Sequence, residues 1–124
     1  MKIGVTSTGK DLDSQVDPRF GRCKYFLIID TDKMNFEAIS NESIMTSGGA
    51  GIQAAQMIAK TGVRVVLTGN VGPNAFQTLS AAGVKVVTGV DGTVKEAVEK
   101  YKKGELKETD SASVNSHFGM GGRR

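Results

Sequence analysis

The chain has 124 residues, 39% apolar and 23% charged, which suits one globular domain with a modest core and leaves no room for a second. Only 6% of residues are aromatic and there is no Trp, so aliphatic side chains, Ala and Gly must fill that core, and 16 glycines imply many turns. A formal net charge of +3, with Arg123 and Arg124 at the very end, leaves the body near neutral and argues against a nucleic-acid binder; one cysteine excludes an internal disulfide, and no apolar run is long enough to span a membrane.

KIGVTS (2–7) is a β-branched apolar run that reads as a central strand buried on both faces. A long polar loop occupies residues 8–22. KYFLIID (24–30) and NFEAIS (35–40) then read as a hairpin whose turn uses Thr31, Asp32 and Lys33. From residue 48 the period changes, and GGAGIQAAQMIAKTG carries Ile52, Ala55, Met57, Ile58 and Ala59 on a broad apolar surface. Ser47 and glycines open this helix, and Gly62 stands at its C-terminal cap. VRVVLTG (63–69) returns to strand composition. GPNAFQTLSAAG places Pro73 in a first helical turn, repeats Ala75, Phe76, Leu79 and Ala82 at helical spacing, and stops at Gly83. VKVVTG (84–89) is the last strand. TVKEAVEKYKKG begins on a capping box formed by Thr93 and Glu96, with Val94, Ala97, Val98 and Tyr101 on one face and Gly104 past the end. The remaining ELKETDSASVNSHFGMGGRR has no sustained period, so the sequence predicts an α/β domain over 1–104 and a flexible tail over 105–124.

This order predicts a single mixed five-stranded sheet with three helices. The second strand runs antiparallel to its neighbours, while the first, third, fourth and fifth are parallel and joined by right-handed crossovers. Such a topology is shared with ribonuclease H-like folds. The segments 8–22, 41–49, 69–74 and 89–93 leave the C-terminal ends of the parallel strands and gather at one edge, where open α/β sheets bind ligands.

The chemistry on that edge is limited. GVTSTGKD (4–11) nearly matches a phosphate-binding loop, but DLDSQVDPRFGR after it has Pro18, Gly21 and no helical apolar face, so no nucleotide is expected. A two-metal nuclease needs a carboxylate on the first strand, and none is there; Asp11, Asp13 and Asp17 read as solvated loop residues. His117, the only histidine, stands in the tail, and Cys23 has no histidine near it in sequence, so no nucleophile–base pair is evident. What remains is a donor-rich rim. SGGAG (47–51) and TGNVGPN (68–74) each lead into a helix, so Gly48, Gly49, Gly69 and Asn70 lie where unpaired amides and positive helix ends meet an anion. Lys10, Arg19 and Arg22 add cations from the first loop.

VDPRFGRCKYFLIID, SGGAGIQAAQMI, VVLTGNVGPNAFQTLSAAGVKV and GTVKEAVEKY together resemble the dinitrogenase iron-molybdenum cofactor-binding family, which includes NifX, NafY and the C-terminal part of NifB. The likeness covers about residues 1 to 103 and is closest to small stand-alone members. It implies a ribonuclease H-like fold without nuclease activity, and a non-enzymatic role as a cytoplasmic carrier of an iron-molybdenum cofactor, an iron-sulfur cluster or a precursor. A cluster-assembly or cluster-receiving protein is the implied partner. Many members have a histidine before the Phe-Gly pair, where this chain has Arg19 before Phe20 and Gly21. Arginine is no normal metal donor, but Arg19 and Arg22 can pair with an anionic cluster through charge-assisted hydrogen bonds. Cys23 and His117 are the residues left to ligate metal, the thiolate of Cys23 being a soft donor suited to iron-sulfur clusters. The alternative is an interaction or regulatory module of the same fold that has lost cofactor binding.

Overall fold

In the computed structural model, which describes residues 1–42, 49–109 and 112, the opening β-branched run forms β1 (Lys2–Ser7) at the centre of a five-stranded sheet. β2 (Tyr25–Asp30) pairs antiparallel with β1, and β3 (Asn35–Ser40) pairs antiparallel with β2. On the other side, β4 (Val65–Leu67) lies parallel to β1 and β5 (Lys85–Val87) parallel to β4, giving the order β3-β2-β1-β4-β5. The expected mixed sheet is present, with the last two strands shorter than their apolar runs.

The register explains the two-sided core. Val5 lies opposite Leu27 and Leu67, and Ile3 opposite Ile29 and Val65, so these side chains share one face. That face is covered by α3 (Val94–Lys102), which buries Val94, Ala97 and Val98. Phe26, Ile28, Val66 and Val86 project to the other face, under α1 (Ala50–Ala59) and α2 (Pro73–Ala81). Helix α1 buries Ala50, Ala54, Ala55 and Ile58, small side chains that allow close packing, while Ile52 and Met57 stay half-buried. Gly62 and Gly83, at φ of 87° and 79°, turn the chain after α1 and α2. The β2–β3 turn rests on Asp30, whose Oδ1 accepts the amides of Asp32 and Lys33 at 3.0 and 3.4 Å; the Asp32 amide holds this carboxyl below its ordinary pKa.

Beyond α3, within the 105–124 stretch expected as a flexible tail, residues as far as Thr109 contact the body. Leu106 packs against the α3 side of the core. The Thr109 amide donates to the Val86 carbonyl at 2.6 Å, and its hydroxyl accepts the Thr88 amide at 3.0 Å. Residues 110–124, apart from Ala112, lie outside the described residues. No described helix is long and apolar enough to cross a membrane.

Candidate functional site

The segment entering the site is fastened to the ends of β1 and β4. The Asp17 amide donates to the Thr6 carbonyl at 2.9 Å, and the Thr6 hydroxyl donates back to the Asp17 carbonyl at 2.7 Å. Thr6 Oγ1 also sits 2.9 Å from Thr68 Oγ1, so both strand ends share the anchor. Two residues on, Arg19 bridges to Asn70 and the Phe20 amide donates to the Asn70 carbonyl at 3.2 Å. Phe20 drops into the core, 2% exposed, with its ring 5.3 Å from that of Phe26. Burial of this one side chain leaves its neighbours Arg19 and Arg22 at the surface.

Close backbone packing brings two helices to this loop. A Cβ on Gly21 would lie 3.0 Å from both Cα and N of Gly51, and a Cβ on Gly51 would lie 3.4 Å from the Ala75 Cβ. Residues 19–22, the start of α1 and the start of α2 thus meet around a cleft of about 430 Å³. Arg19, Phe20, Gly21 and Arg22 form one wall, Gly49 to Ile52 a second, and Asn70 with Gly72 to Ala75 the third.

Electrostatically the cleft favours anions. Neither α1 nor α2 has a side-chain N-cap or an acidic residue in its first turn. Their leading amides and positive dipole ends therefore face the cavity without a counter-charge from their own helices. In α3, by contrast, the Thr93 hydroxyl accepts the Glu96 amide at 3.1 Å and Glu96 accepts the Thr93 amide at 2.9 Å. Among the described residues the lining includes two arginines and no acid, and Phe20, Ile52, Pro73 and Ala75 give it an apolar component.

Six of the residues expected at the site, Arg19, Phe20, Gly21, Arg22, Gly49 and Asn70, line this cleft together. Gly69 does not; a Cβ there would lie 2.6 Å from the Pro18 Cα, so its role is to let the two loops touch. Gly48 and His117 lie outside the described residues. Cys23, expected as a metal ligand, is fully buried and off the cleft wall, with Sγ 3.3 Å from the Phe20 carbonyl. Burial, with the Asp17 charge adding to it, pushes this thiol up to about 12. Lys10 lies 5.6 Å above the Tyr25 ring and outside the lining. Asp17, expected in a solvated loop, is 3% exposed. Among the described residues no group of three or more His, Cys, Asp or Glu could hold a metal ion.

Pro73 and Asn74 line the cleft from the 68–74 segment expected at this edge, whereas sequence reasoning missed Ile52 and Ala75, which it read only as helix-forming. Their positions in a first turn after a strand-side loop were the available signal.

The family model described as dinitrogenase iron-molybdenum cofactor matches residues 1–104. This chain belongs to the dinitrogenase iron-molybdenum cofactor family. Among structures similar to this family member is the apo form of the orange protein from Desulfovibrio gigas, 44% identical, with a TM-score of 0.89, covering 91% of this chain and 96% of that one. A candidate NifB protein from Thermotoga is 41% identical, with a TM-score of 0.77 and coverage of 91% and 98%. A candidate dinitrogenase from Methanocaldococcus jannaschii shares the fold at 21% identity, with a TM-score of 0.68 and coverage of 90% and 96%. No curated protein matches the chain.

Proposed function

We propose that this family member is a non-enzymatic carrier that holds an anionic metallocluster in the cleft and passes it to a cluster-assembly or cluster-receiving protein in the cytoplasm. The cargo is an iron-molybdenum cofactor, an iron-sulfur cluster or a precursor of either. The observation that carries this reading is the convergence of two uncapped helix N-termini and two arginines on one cavity with no acid among its described lining residues. A cluster there is gripped by charge-assisted hydrogen bonds and apolar contact, because guanidinium groups do not donate lone pairs to metals. Among the described residues the lining carries no carboxylate, imidazole, thiol or hydroxyl, and its polar groups are amides and guanidiniums suited to holding an anion. The family match and the likeness to the orange protein and to the candidate NifB protein support the choice of cargo.

Anaerobic titration of the reduced chain with an iron-sulfur cluster and with iron-molybdenum cofactor tests this. We expect a change in visible absorbance and amide shifts at Arg19, Phe20, Gly21, Gly51 and Asn74, with the β3 amides unmoved. Absence of both responses with both clusters would overturn the assignment.

A further inference from the structure

We propose that the buried Asp17 is a positioning residue that aims the Arg19 guanidinium at the anion in the cleft, an inference that rests on the carrier reading above. Asp17 is 3% exposed, and Arg19 is its ionic partner. Its Oδ1 accepts the Arg19 amide at 2.9 Å and lies 3.4 Å from Arg19 Nε. The backbone on both sides is fixed, Asp17 by Thr6 and Arg19 by Asn70. The Arg19 side chain itself stays 63% exposed and lines the cavity.

A turn across Pro18 needs one side-chain oxygen to receive the Arg19 amide, and Asn or Ser would supply it without burying a charge. The carboxylate therefore has a further use. Guanidinium is a planar fork with five donors, and tethering Nε to a fixed oxygen sets the plane while leaving the terminal nitrogens for a ligand. An exposed arginine otherwise loses side-chain entropy when it binds; part of that loss is met here before cargo arrives.

Electrostatics alone gives the opposite expectation. A buried negative charge beside an anion site repels the anion, so removing it should tighten binding. Positioning through Arg19 requires that removing it weaken binding. The two accounts differ in sign, and the Asp17→Asn variant, which keeps the amide acceptor, separates them.

The full chain and the variants D17N, R19Q, R19K and D17N/R19Q are titrated anaerobically with whichever of the iron-sulfur cluster and iron-molybdenum cofactor the wild-type chain binds more tightly. The Arg19 Nε–H resonance is followed in the cluster-free proteins. We expect D17N to weaken binding about 10-fold, as loss of an oriented charge-assisted contact does, and R19Q to weaken it at least as much. The double variant should bind no more weakly than R19Q. The Nε–H proton should exchange slowly with water in the wild type and fast in D17N. R19K keeps the charge without the fork, and should lose most of what R19Q loses; it serves in place of D17N should that variant not fold. Unchanged or tighter binding by D17N, a D17N loss that persists in the R19Q background, or wild-type affinity in R19K would each overturn the positioning role while leaving the carrier reading in place. A wild-type chain that binds neither cluster overturns the carrier reading and the positioning role with it.

Discussion

With its thiol in the core and donating to the Phe20 carbonyl, Cys23 keeps its proton to about pH 12, against an ordinary 9.0, because desolvation opposes the thiolate and the Asp17 charge adds to that opposition. In the unfolded chain the same thiol ionises near its ordinary value. Between pH 9 and 12 the unfolded state therefore holds fewer protons than the native state, and stability falls as pH rises. We expect a loss of roughly 1.4 kcal/mol for each pH unit above the unfolded value, absent in Cys23→Ala, measured as the difference between urea unfolding curves of the two proteins at pH 7, 9 and 10. Packing without side chains is as exacting at Gly69. A Cβ there would approach the Pro18 Cα to 2.6 Å and its carbonyl oxygen to 2.9 Å, both backbone atoms that cannot swing away. Gly69→Ala should cost about 1–3 kcal/mol of stability and shift residues 18–22, whereas Gly72→Ala, with nothing within 4 Å of its Cβ and an ordinary φ of −82°, should lose only what alanine costs at an N-cap and leave residues 18–22 in place. Urea midpoints of the two variants decide the matter.

At the scale of elements the three helices begin in two ways. Helix α3 carries a complete capping box, and the Thr93 amide holds the Glu96 carboxyl below its ordinary pKa, so the stability from this contact is present above the ordinary carboxyl range and is lost as pH falls through it. Helices α1 and α2 begin on Gly49 and Gly72 with no side-chain cap, and both of these ends face the cleft. Supplying the missing cap should exchange function for stability. Gly72→Asp places an acceptor at the N-cap of α2, where φ and ψ of −82° and 171° suit any residue. We expect it to raise stability by about 0.5–1 kcal/mol and to weaken cluster binding at least 10-fold, read by urea unfolding and by anaerobic titration. The capping box, Pro73 at the start of α2 and the β-branched strands were legible in the sequence because each leaves a local, periodic or positional mark. The loops that form the cleft were legible for a topological reason: all follow the C-terminal ends of parallel strands. Side-chain direction inside those loops has no period. Asp17, Arg19, Phe20 and Cys23 follow one another closely, yet the structure sends Asp17, Phe20 and Cys23 inward and Arg19 outward through long-range bonds to β1 and Asn70.

For the whole molecule, the segment after α3 adds contacts to the body of the fold. Residues 105–109 are polar and without period, which is why composition placed them in a tail, but backbone pairing to an edge strand leaves no mark in composition. Thr109 joins β5 through the Val86 carbonyl and meets Thr88 Oγ1 at 2.8 Å, Lys85 Nζ lies 3.7 Å from Glu108 Oε1, and Leu106 packs onto the core beside Tyr101. The exposed ion pair contributes little. The hydrogen bonds at about 1 kcal/mol each and the partial burial of Leu106 contribute more, and they also cover a strand edge that would otherwise be open to pairing with another chain. A chain cut after Gly104 should therefore lose about 2–4 kcal/mol of stability relative to one cut after Thr109, and should associate more readily at high concentration. None of residues 105–109 lines the cleft, so the shorter chain, while folded, should bind a cluster as tightly as the longer one. Urea unfolding, light scattering and cluster titration of the two truncated chains measure the three quantities separately. Equal stability would mean that the contacts of Thr109 and Leu106 are not formed in solution, and a drop in affinity would mean that the edge of β5 and the cleft are coupled through β4.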